Sequence, residues 1–500
     1  MKSFLLLAIL WTVICVSVSA SAATLYVTGS VSSSGDGTTW ATALKTIQEG
    51  IDKALEGDTV IVAFGRYVEN IRFSGSNILL QSTDPLNSNV VANTIIEMEA
   101  SDPGSVVTFS GAEDETCMLE GFTIQKGGWS NKPGAGICGG TLEGSHAHAT
   151  IRRNVITKNP GGYYGAIAFC DGLIENNLIS DNWPQYGGGL AYCNGTIRNN
   201  EIRNNHAYWG GGLYECDGII EGNTIANNYG DYTGGLYGCD GTIEGNRIIS
   251  NDTNQGAGGL AFCHGLIRNN LIAGNRASGH SGGLSECRGT ILNNTIVCNS
   301  AGSFGGGLAG DSVRIQNCVV WANTAPSYPQ VRMYLADLPT HCCIQDWGEG
   351  GDGNIADDPR FADPDGLDND PLTYQDNDYR LATGSPCIDA GLNEDWMWDA
   401  VDMGGNPRIL PGNSTWKVDM GAYEYVSPSY ELRGYVRKSD TGIQLIWTSQ
   451  GGAPYAVWSC LDLLTDAWTE ETTVESQGVA TSWTDGQALG TLKFYRVEMQ

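Results

Sequence analysis

The sequence predicts an all-β fold: a right-handed parallel β-helix solenoid with an N-terminal capping helix and a small C-terminal β-sandwich. Three observations carry that prediction. One phrase recurs almost without drift, as GGLAYCNGTIRNNEIRNN (188–205), GGLYECDGIIEGNTIANN (211–228) and GGLYGCDGTIEGNRIISN (234–251). Cys170, Cys193, Cys216, Cys239, Cys263 and Cys287 follow at steps of 23, 23, 23, 24 and 24, and Asn154, 177, 200, 223, 246, 270 and 294 keep pace. A period that regular means one rung of a stack per repeat. Within a rung, three arms each set an aliphatic residue three positions before a small or amide residue: Leu190 to Cys193, Ile197 to Asn200, Ile202 to Asn205.

Three similar arms imply a three-sided coil. Aliphatics on short strands point inward, while Asn, Cys and Gly occupy the corners, where amides can bond to the rungs above and below. The rival is a leucine-rich repeat, whose length range includes 23 residues. That architecture often follows its strand with a helix, and YWGGGLYECDG (208–218) is too glycine-rich for one. Stacking the eight rungs of the Ile151-to-Ile315 ladder at about 4.8 Å each gives a rod of roughly 40 Å.

At the N-terminus, Lys2 precedes an apolar run from Phe4 to Val18 that ends in Ala20-Ser21-Ala22. The run is short for a membrane span, no second apolar segment follows, and the small-residue end fits signal-peptide cleavage. The expected protein is therefore secreted or held at the cell surface, without a transmembrane segment. The net charge of −29 disfavours nucleic acid and anionic membranes, which demand Lys and Arg. Six cysteines in one repeat position would lie side by side with poor disulfide torsions, so they are expected as buried thiols filling the core. Cys117, Cys138, Cys298, Cys318, Cys342, Cys343, Cys387 and Cys460 are the better disulfide candidates.

Leu25-Tyr26-Val27 reads as a strand. Leu44, Ile47, Ile51 and Leu55 then mark one face of a helix ending at Gly57, suited to cover the open first rung. The segment 129–150 breaks the period and reads as a loop or elongated rung. The expected layout is a signal peptide over 1–22, a cap with first strands over 23–80, the β-helix over 81–345 and an Asp-rich closing segment over 346–426. Period-two runs such as IQLIWTS and PYAVWSC make 427–500 a small fibronectin-like β-sandwich.

The order helix, DTVIV (58–62), then GRYVENI (65–71) resembles the opening of the pectate-lyase-like β-helix superfamily. The GG-[AL] and I-x-x-N phrases resemble repeats of polymorphic outer-membrane adhesins, which end in a membrane barrel that FYRVEMQ (494–500) does not suggest. The series DPRF (358–361), YRLATGSPCIDAG (379–391), DMGGNPR (402–408) and DMGAYE (419–424) resembles the closing segment of secreted bacterial β-helix proteins, which implies final rungs and a C-terminal cap. Cys263-His264-Gly265 resembles a polygalacturonase phrase, but the paired Asp motifs of that family are missing, as are the characteristic pectate-lyase phrases.

The candidate chemistry lies between the second Asn of a rung and its glycine run. Tyr163 and Tyr164, Trp183 and Tyr186, Tyr208 and Trp209, and Tyr229 and Tyr232 occupy this corner in four successive rungs. Two readings stand: a carbohydrate-binding stripe formed by Trp183, Tyr186, Tyr208, Trp209, Tyr229 and Tyr232, or rings that merely pack on one another. Nearby Glu215, Asp231, His206 and Asp181 are acid–base candidates, with no catalytic residue assigned. Arg152, Glu175, Arg198, Glu221, Glu244 and Arg268 form a column of alternating charge that pairs across rungs. Asp171, Asn194, Asp217, Asp240, His264 and Arg288 precede a glycine, where a tight or left-handed turn favours Asp and Asn. Asp363, Asp365, Asp368 and Asp370 are spaced for a structural calcium, without the closing Glu of a full hand; no other cofactor is indicated. The expected role is contact with an extracellular polysaccharide or glycan by a monomer, as a non-catalytic surface or adhesion protein. The alternative is a polysaccharide lyase or glycosidase acting on an acidic polysaccharide.

Overall fold

The computed structural model describes residues 22–426 except 102, 129–133, 311–313, 334–337, 372 and 412–415. Beyond these it describes 434–439, 442–448, 454–460, 468–476, 480–486 and 493–499. The expected signal peptide lies outside the described residues. Among them, no helix is long and apolar enough to cross a membrane.

The rod is a right-handed parallel β-helix built on three long sheets of 12, 11 and 12 strands. A representative rung contributes Thr196–Arg198 to the first sheet, Leu190–Ala191 to the second and Glu201–Arg203 to the third. Registers are continuous: Ile174, Ile197, Ile220, Ile243 and Ile267 are successive partners in the first sheet, and Leu190, Leu213, Leu236 and Leu260 in the second. These aliphatics and the cysteine column are buried in one continuous core. A fourth, short sheet of five strands joins them, from His206–Ala207 to Ser300–Ala301. It departs from the three-sided expectation because the chain stays extended after the second Asn: His206 N–H donates to Asn182 O, one rung away (2.8 Å).

Two buried asparagine ladders tie the rungs together, one from Asn154 to Asn294 and one from Asn159 to Asn323. Asn223 shows the pattern. Its Nδ2 donates to Ile197 O (2.8 Å) and Asn246 Oδ1 (3.0 Å), while its Oδ1 accepts from Asn200 N (2.9 Å) and Asn200 Nδ2 (3.0 Å). The residue before each rung asparagine takes the left-handed conformation, as at Asn199 (φ 54) and Gly222 (φ 63). The recurring Asn-Asn and Gly-Asn doublets are therefore a left-handed corner followed by an inward amide.

The pre-glycine column has a different cause from the one expected. The left-handed residues lie two positions earlier, at Phe169, Tyr192, Glu215, Phe262 and Glu286. Asp171, Asn194, Asp217 and Asp240 instead each accept, through Oδ1, the next rung's N–H at 2.7–2.9 Å, and His264 Nδ1 accepts from Arg288 N (3.2 Å). Any side chain with a short-range acceptor serves, so Asp, Asn and His interchange. The charge column pairs in part as expected, Arg198 with Glu175 (2.9 Å) and Arg268 with Glu244 (2.7 Å), whereas Arg152 pairs with Glu120 (2.8 Å), which the column did not include.

The disulfides expected among the off-ladder cysteines are not formed; every cysteine from Cys117 to Cys460 is a free thiol. Their positions explain this. Cys117, Cys318 and Cys342 sit in the rod core with the repeat cysteines, and Cys343 and Cys387 lie in an apolar cluster with Val319 and Met420. They act as small apolar fillers.

The N-terminal helix is shorter than its apolar spacing suggests, running over Ile47–Lys53. Thr46 and Glu49 form a capping box that fixes its start, so Leu44 precedes the helix, and Leu55 falls beyond it, 69% exposed. The described part of the irregular 129–150 segment, residues 134–150, belongs to an elongated rung: Ile137–Cys138 pairs in the second sheet with Val107–Thr108 and Ile167–Ala168. Beyond Cys343–Ile344, among the described residues, the closing segment adds only an isolated parallel bridge of Ile355 with Cys343 to the long sheets, in contrast to the final rungs expected. It runs back over the flank instead: Ala422 N donates to Thr295 Oγ1 (2.9 Å), Gly421 N to Asn317 O (2.7 Å) and Arg247 Nη2 to Gln375 O (3.1 Å). Tyr379 packs among Ala226, Ile249, Leu271 and Val297, which span four rungs. Apolar side chains facing outward on the third sheet therefore find cover.

This strap holds a buried group of charges. Arg408 is fully buried against Glu424 (3.2 Å), with Asp402 and Asp419 beside them, so three carboxylates face one guanidinium. Burial pushes the Asp419 carboxyl up from 3.8 to about 7, and burial likewise raises Glu424. The native state then holds a proton more tightly than the unfolded chain, so stability falls as pH rises from about 4 through 7. Between pH 5 and 8 the melting temperature is expected to drop by about 2–4 °C, with a smaller drop in Asp419→Asn. A flat wild-type profile over that range would contradict this assignment.

At the C-terminus two three-stranded antiparallel sheets, one containing Gly442–Thr448 and the other Pro454–Cys460, enclose Leu445, Trp447, Tyr455 and Val457. They form the small β-sandwich implied by the period-two runs.

Candidate functional site

The outer face of the second sheet carries the largest cluster of aromatic rings. On each rung the chain passes an inward Leu or Ile, presents two residues outward and turns in again at Cys, as in IAFC (167–170), LAYC (190–193), LYEC (213–216), LYGC (236–239) and LAFC (260–263). Strand alternation accounts for the first outward residue and the left-handed corner for the second. Stacking brings the rings into an unbroken chain: Phe169 to Tyr192 (5.5 Å), Tyr192 to Tyr214 (5.5 Å), Tyr214 to Tyr237 (5.5 Å) and Tyr237 to Phe262 (5.4 Å).

A second line of rings flanks the first. Tyr164, Tyr186 and Trp209 are partners on consecutive rungs. Tyr186 meets Tyr214 at 5.3 Å, and Trp209 lies flat on Tyr232 (4.0 Å, 3°) and edge-on to Tyr237 (4.7 Å). The stripe expected from sequence is thus split. Tyr186, Trp209 and Tyr232 join the face, with Tyr208 on its rim, 43% exposed and 5.1 Å from Tyr232. Trp183 and Tyr229 belong around the corner, at the position of His206 in the fourth sheet; Tyr229 stacks on His206 (4.8 Å, 2°) and Trp183 is 61% exposed. Phe169, Tyr192, Tyr214, Tyr237 and Phe262 are the members not foreseen. Their signal was the pair of outward positions before each Cys, where an aromatic recurs in one place or the other.

Of the acid–base candidates, Glu215 alone lies within this face. Tyr214 and Tyr192 have their hydroxyls pushed up, first by burial and then by the adjacent Glu215 carboxylate, and Tyr237 shows the same order of causes. These phenols stay neutral donors. Asp231 bonds to Tyr229 on the far side of the corner, and Asp181 is an exposed left-handed residue of the third-sheet corner. At one end of the face His146 Nδ1 lies 2.9 Å from Asp171 Oδ2, with its ring 5.1 Å from Phe169. In the column of Glu215 the next acid is Glu286, three rungs on, roughly 14 Å away, beyond the separation at which two carboxylates share a glycosidic bond.

Two concavities lie elsewhere. One of about 340 Å³ under the strap holds Arg268, Arg314, Glu394 and Trp396. Its charges are already engaged, with Arg268 on Glu244 and over Trp396 (4.3 Å), and Arg314 on Glu394. The other, about 560 Å³, lies between Val68, Met98, Lys126 and Lys158. Of the aspartates proposed for calcium, Asp363 lies in a strand and Asp368 accepts from Thr373 Oγ1 (2.8 Å) and Asp370 N (2.9 Å). Among the described residues, no group of three or more His, Cys, Asp or Glu is placed to hold a metal.

Comparison with known proteins follows the geometry. No curated protein matches the chain. Among solved structures, that of pectate lyase Pel9A aligns at a TM-score of 0.42 and 16% identity, over 81% of this chain and 97% of that one. Residues 135–265 match the family model described as a right handed beta helix region, and these are the rungs that bear the aromatic face. The chain is a right-handed parallel β-helix protein.

Proposed function

We propose that this protein is exported and contacts extracellular carbohydrate along the aromatic face, as a non-catalytic surface or adhesion protein. The carrying observation is the chain of rings from Tyr192 to Phe262, seated at one end on the fully buried Phe169 and flanked by Tyr164, Tyr186, Trp209 and Tyr232. Rings of this kind bury apolar area and leave a hydroxyl or N–H at the rim, which suits the apolar faces and equatorial hydroxyls of sugars. Uniform rungs favour binding over turnover, because a repeated surface offers no single walled cleft in which to hold one reacting bond. The run before Ala23 supports export.

The double variant Trp209→Ala with Tyr214→Ala is expected to weaken retention on immobilised neutral polysaccharides by at least about tenfold in Kd, since central aromatics dominate such contacts. Affinity electrophoresis against a panel of neutral and acidic glycans would measure this. Unchanged mobility of the variant on every glycan that retards the parent would rule the face out. Release of reducing ends or of ultraviolet-absorbing unsaturated products from the same panel would support the lyase or glycosidase reading instead.

A further inference from the structure

The geometry points to the surroundings of Glu215 as a binding site for an organic ammonium group, of the kind a 2-amino sugar carries. This inference rests on the carbohydrate reading of the aromatic face and names the chemistry at its centre.

Glu215 is set among the rings of this face: Tyr164, Tyr192, Tyr214 and Tyr237 all feel its charge. Some other carboxylates of these rungs have a cation beside them. Glu175 has Arg198, Glu244 has Arg268, Glu286 has Arg288 (3.8 Å), and Asp171 has His146. Among the described residues, Glu215 forms no ion pair. A half-buried carboxylate without a counter-ion, ringed by aromatic faces, is the complement of a soft cation: the rings attract it through their quadrupoles and the carboxylate through its charge. The tyrosine hydroxyls remain protonated, so they bring no competing charge.

The next rung leaves room. The register places His146, Phe169, Tyr192, Glu215, Gly238 and Phe262 in one column. Only Gly238 in that column lacks a side chain. A Cβ there would lie 3.1 Å from Glu215 Cγ, and its φ of +63 further disfavours any side chain. The Glu215 side chain therefore takes that room, with Tyr237 on the same strand and Phe262 beyond. At long range a net charge of −29 raises the local concentration of cations and repels polyanions. An amino sugar would place its ring on Tyr214 and Trp209 and its ammonium against the Glu215 carboxylate.

The test is calorimetric titration of the full chain, at about pH 6 where the amine is charged, with β-1,4-linked glucosamine tetramer, its N-acetylated counterpart and a neutral glucose tetramer. The amino tetramer is expected to bind about tenfold tighter than the acetylated one. Glu215→Gln is expected to erase that preference, weakening the amino tetramer by about tenfold more than the acetylated one. The proposal falls if the wild type shows no preference, or if the preference survives in Glu215→Gln and so reflects the overall charge. Tetramethylammonium separates the two readings. If it binds in a Glu215-dependent way while no tetramer binds, the ammonium site stands and the carbohydrate face fails. If neither the tetramers nor tetramethylammonium bind, both fail.

Discussion

Replacing Asn223 with leucine is expected to destabilise the rod by about 4 kcal/mol, although the two side chains are of similar size. The loss is polar. Ile197 O and Asn200 N are left without the partner that the Asn223 side chain provides, and Asn246 Oδ1 keeps only the backbone N–H of residue 223, inside a core that admits no replacement. Each orphaned group costs about 1–3 kcal/mol, and leucine's added apolar burial recovers only part. Asn223→Asp fares no better, because a second acceptor then faces Ile197 O and Asn246 Oδ1. The control is Asn199→Ala at the neighbouring exposed corner. It forfeits only the tolerance of asparagine for φ 54, about 1 kcal/mol. Urea midpoints of the three variants would show the ranking. An Asn223→Leu midpoint within error of Asn199→Ala would mean that the amide ladder is not what holds the rungs.

Gly218→Ala is expected to cost about 4 kcal/mol or more, whereas Gly245→Ala costs about 1 kcal/mol. The same methyl is added to the same kind of repeat, but the surroundings differ. At Gly218 a Cβ would lie 1.9 Å from Gly195 O and 2.4 Å from Asn194 O, both backbone atoms of the adjacent rung. Neither can swing aside, so the rungs must part and lose their ladder bonds locally. Gly172, Gly195, Gly241, Gly265 and Gly289 make the same close approach. Gly245 has φ +65 and meets nothing nearer than 3.9 Å, leaving only the left-handed penalty. Similar thermal midpoints for the two variants would overturn this reading of the glycine column.

The rod was legible because every rung presents the same environment to the same position. Ile, Cys and Asn recur at one step because their neighbours above and below are copies of themselves, and a helix or an open sheet leaves no such trace. The aromatic face was harder to read. Its rings occupy the first outward position in Tyr214 and Tyr237 and the second in Phe169, Tyr192 and Phe262, so no single column of the repeat is aromatic. Trp183 and Tyr229 seemed to belong with Tyr186 because they are near in sequence, but the extended pair after each second Asn carries them round the corner. The course of the strap was not legible either. It depends on single bonds between residues more than a hundred positions apart, such as Thr295 with Ala422, which leave no periodic mark. The shorter helix was readable in principle, since Thr46 and Glu49 spell its start.

The strap also sets how the rod can change length in evolution. Inserting one whole turn ahead of Ala226 would lengthen the solenoid and preserve all its vertical columns. The same insertion between Arg247 and Asn317 would slide Gln375, Gly421 and Ala422 off their docking points by one step. Growth is therefore free at the N-terminal half and gauged at the other. Natural length variants of this protein should differ by complete turns on the side of the molecule where the aromatic face begins.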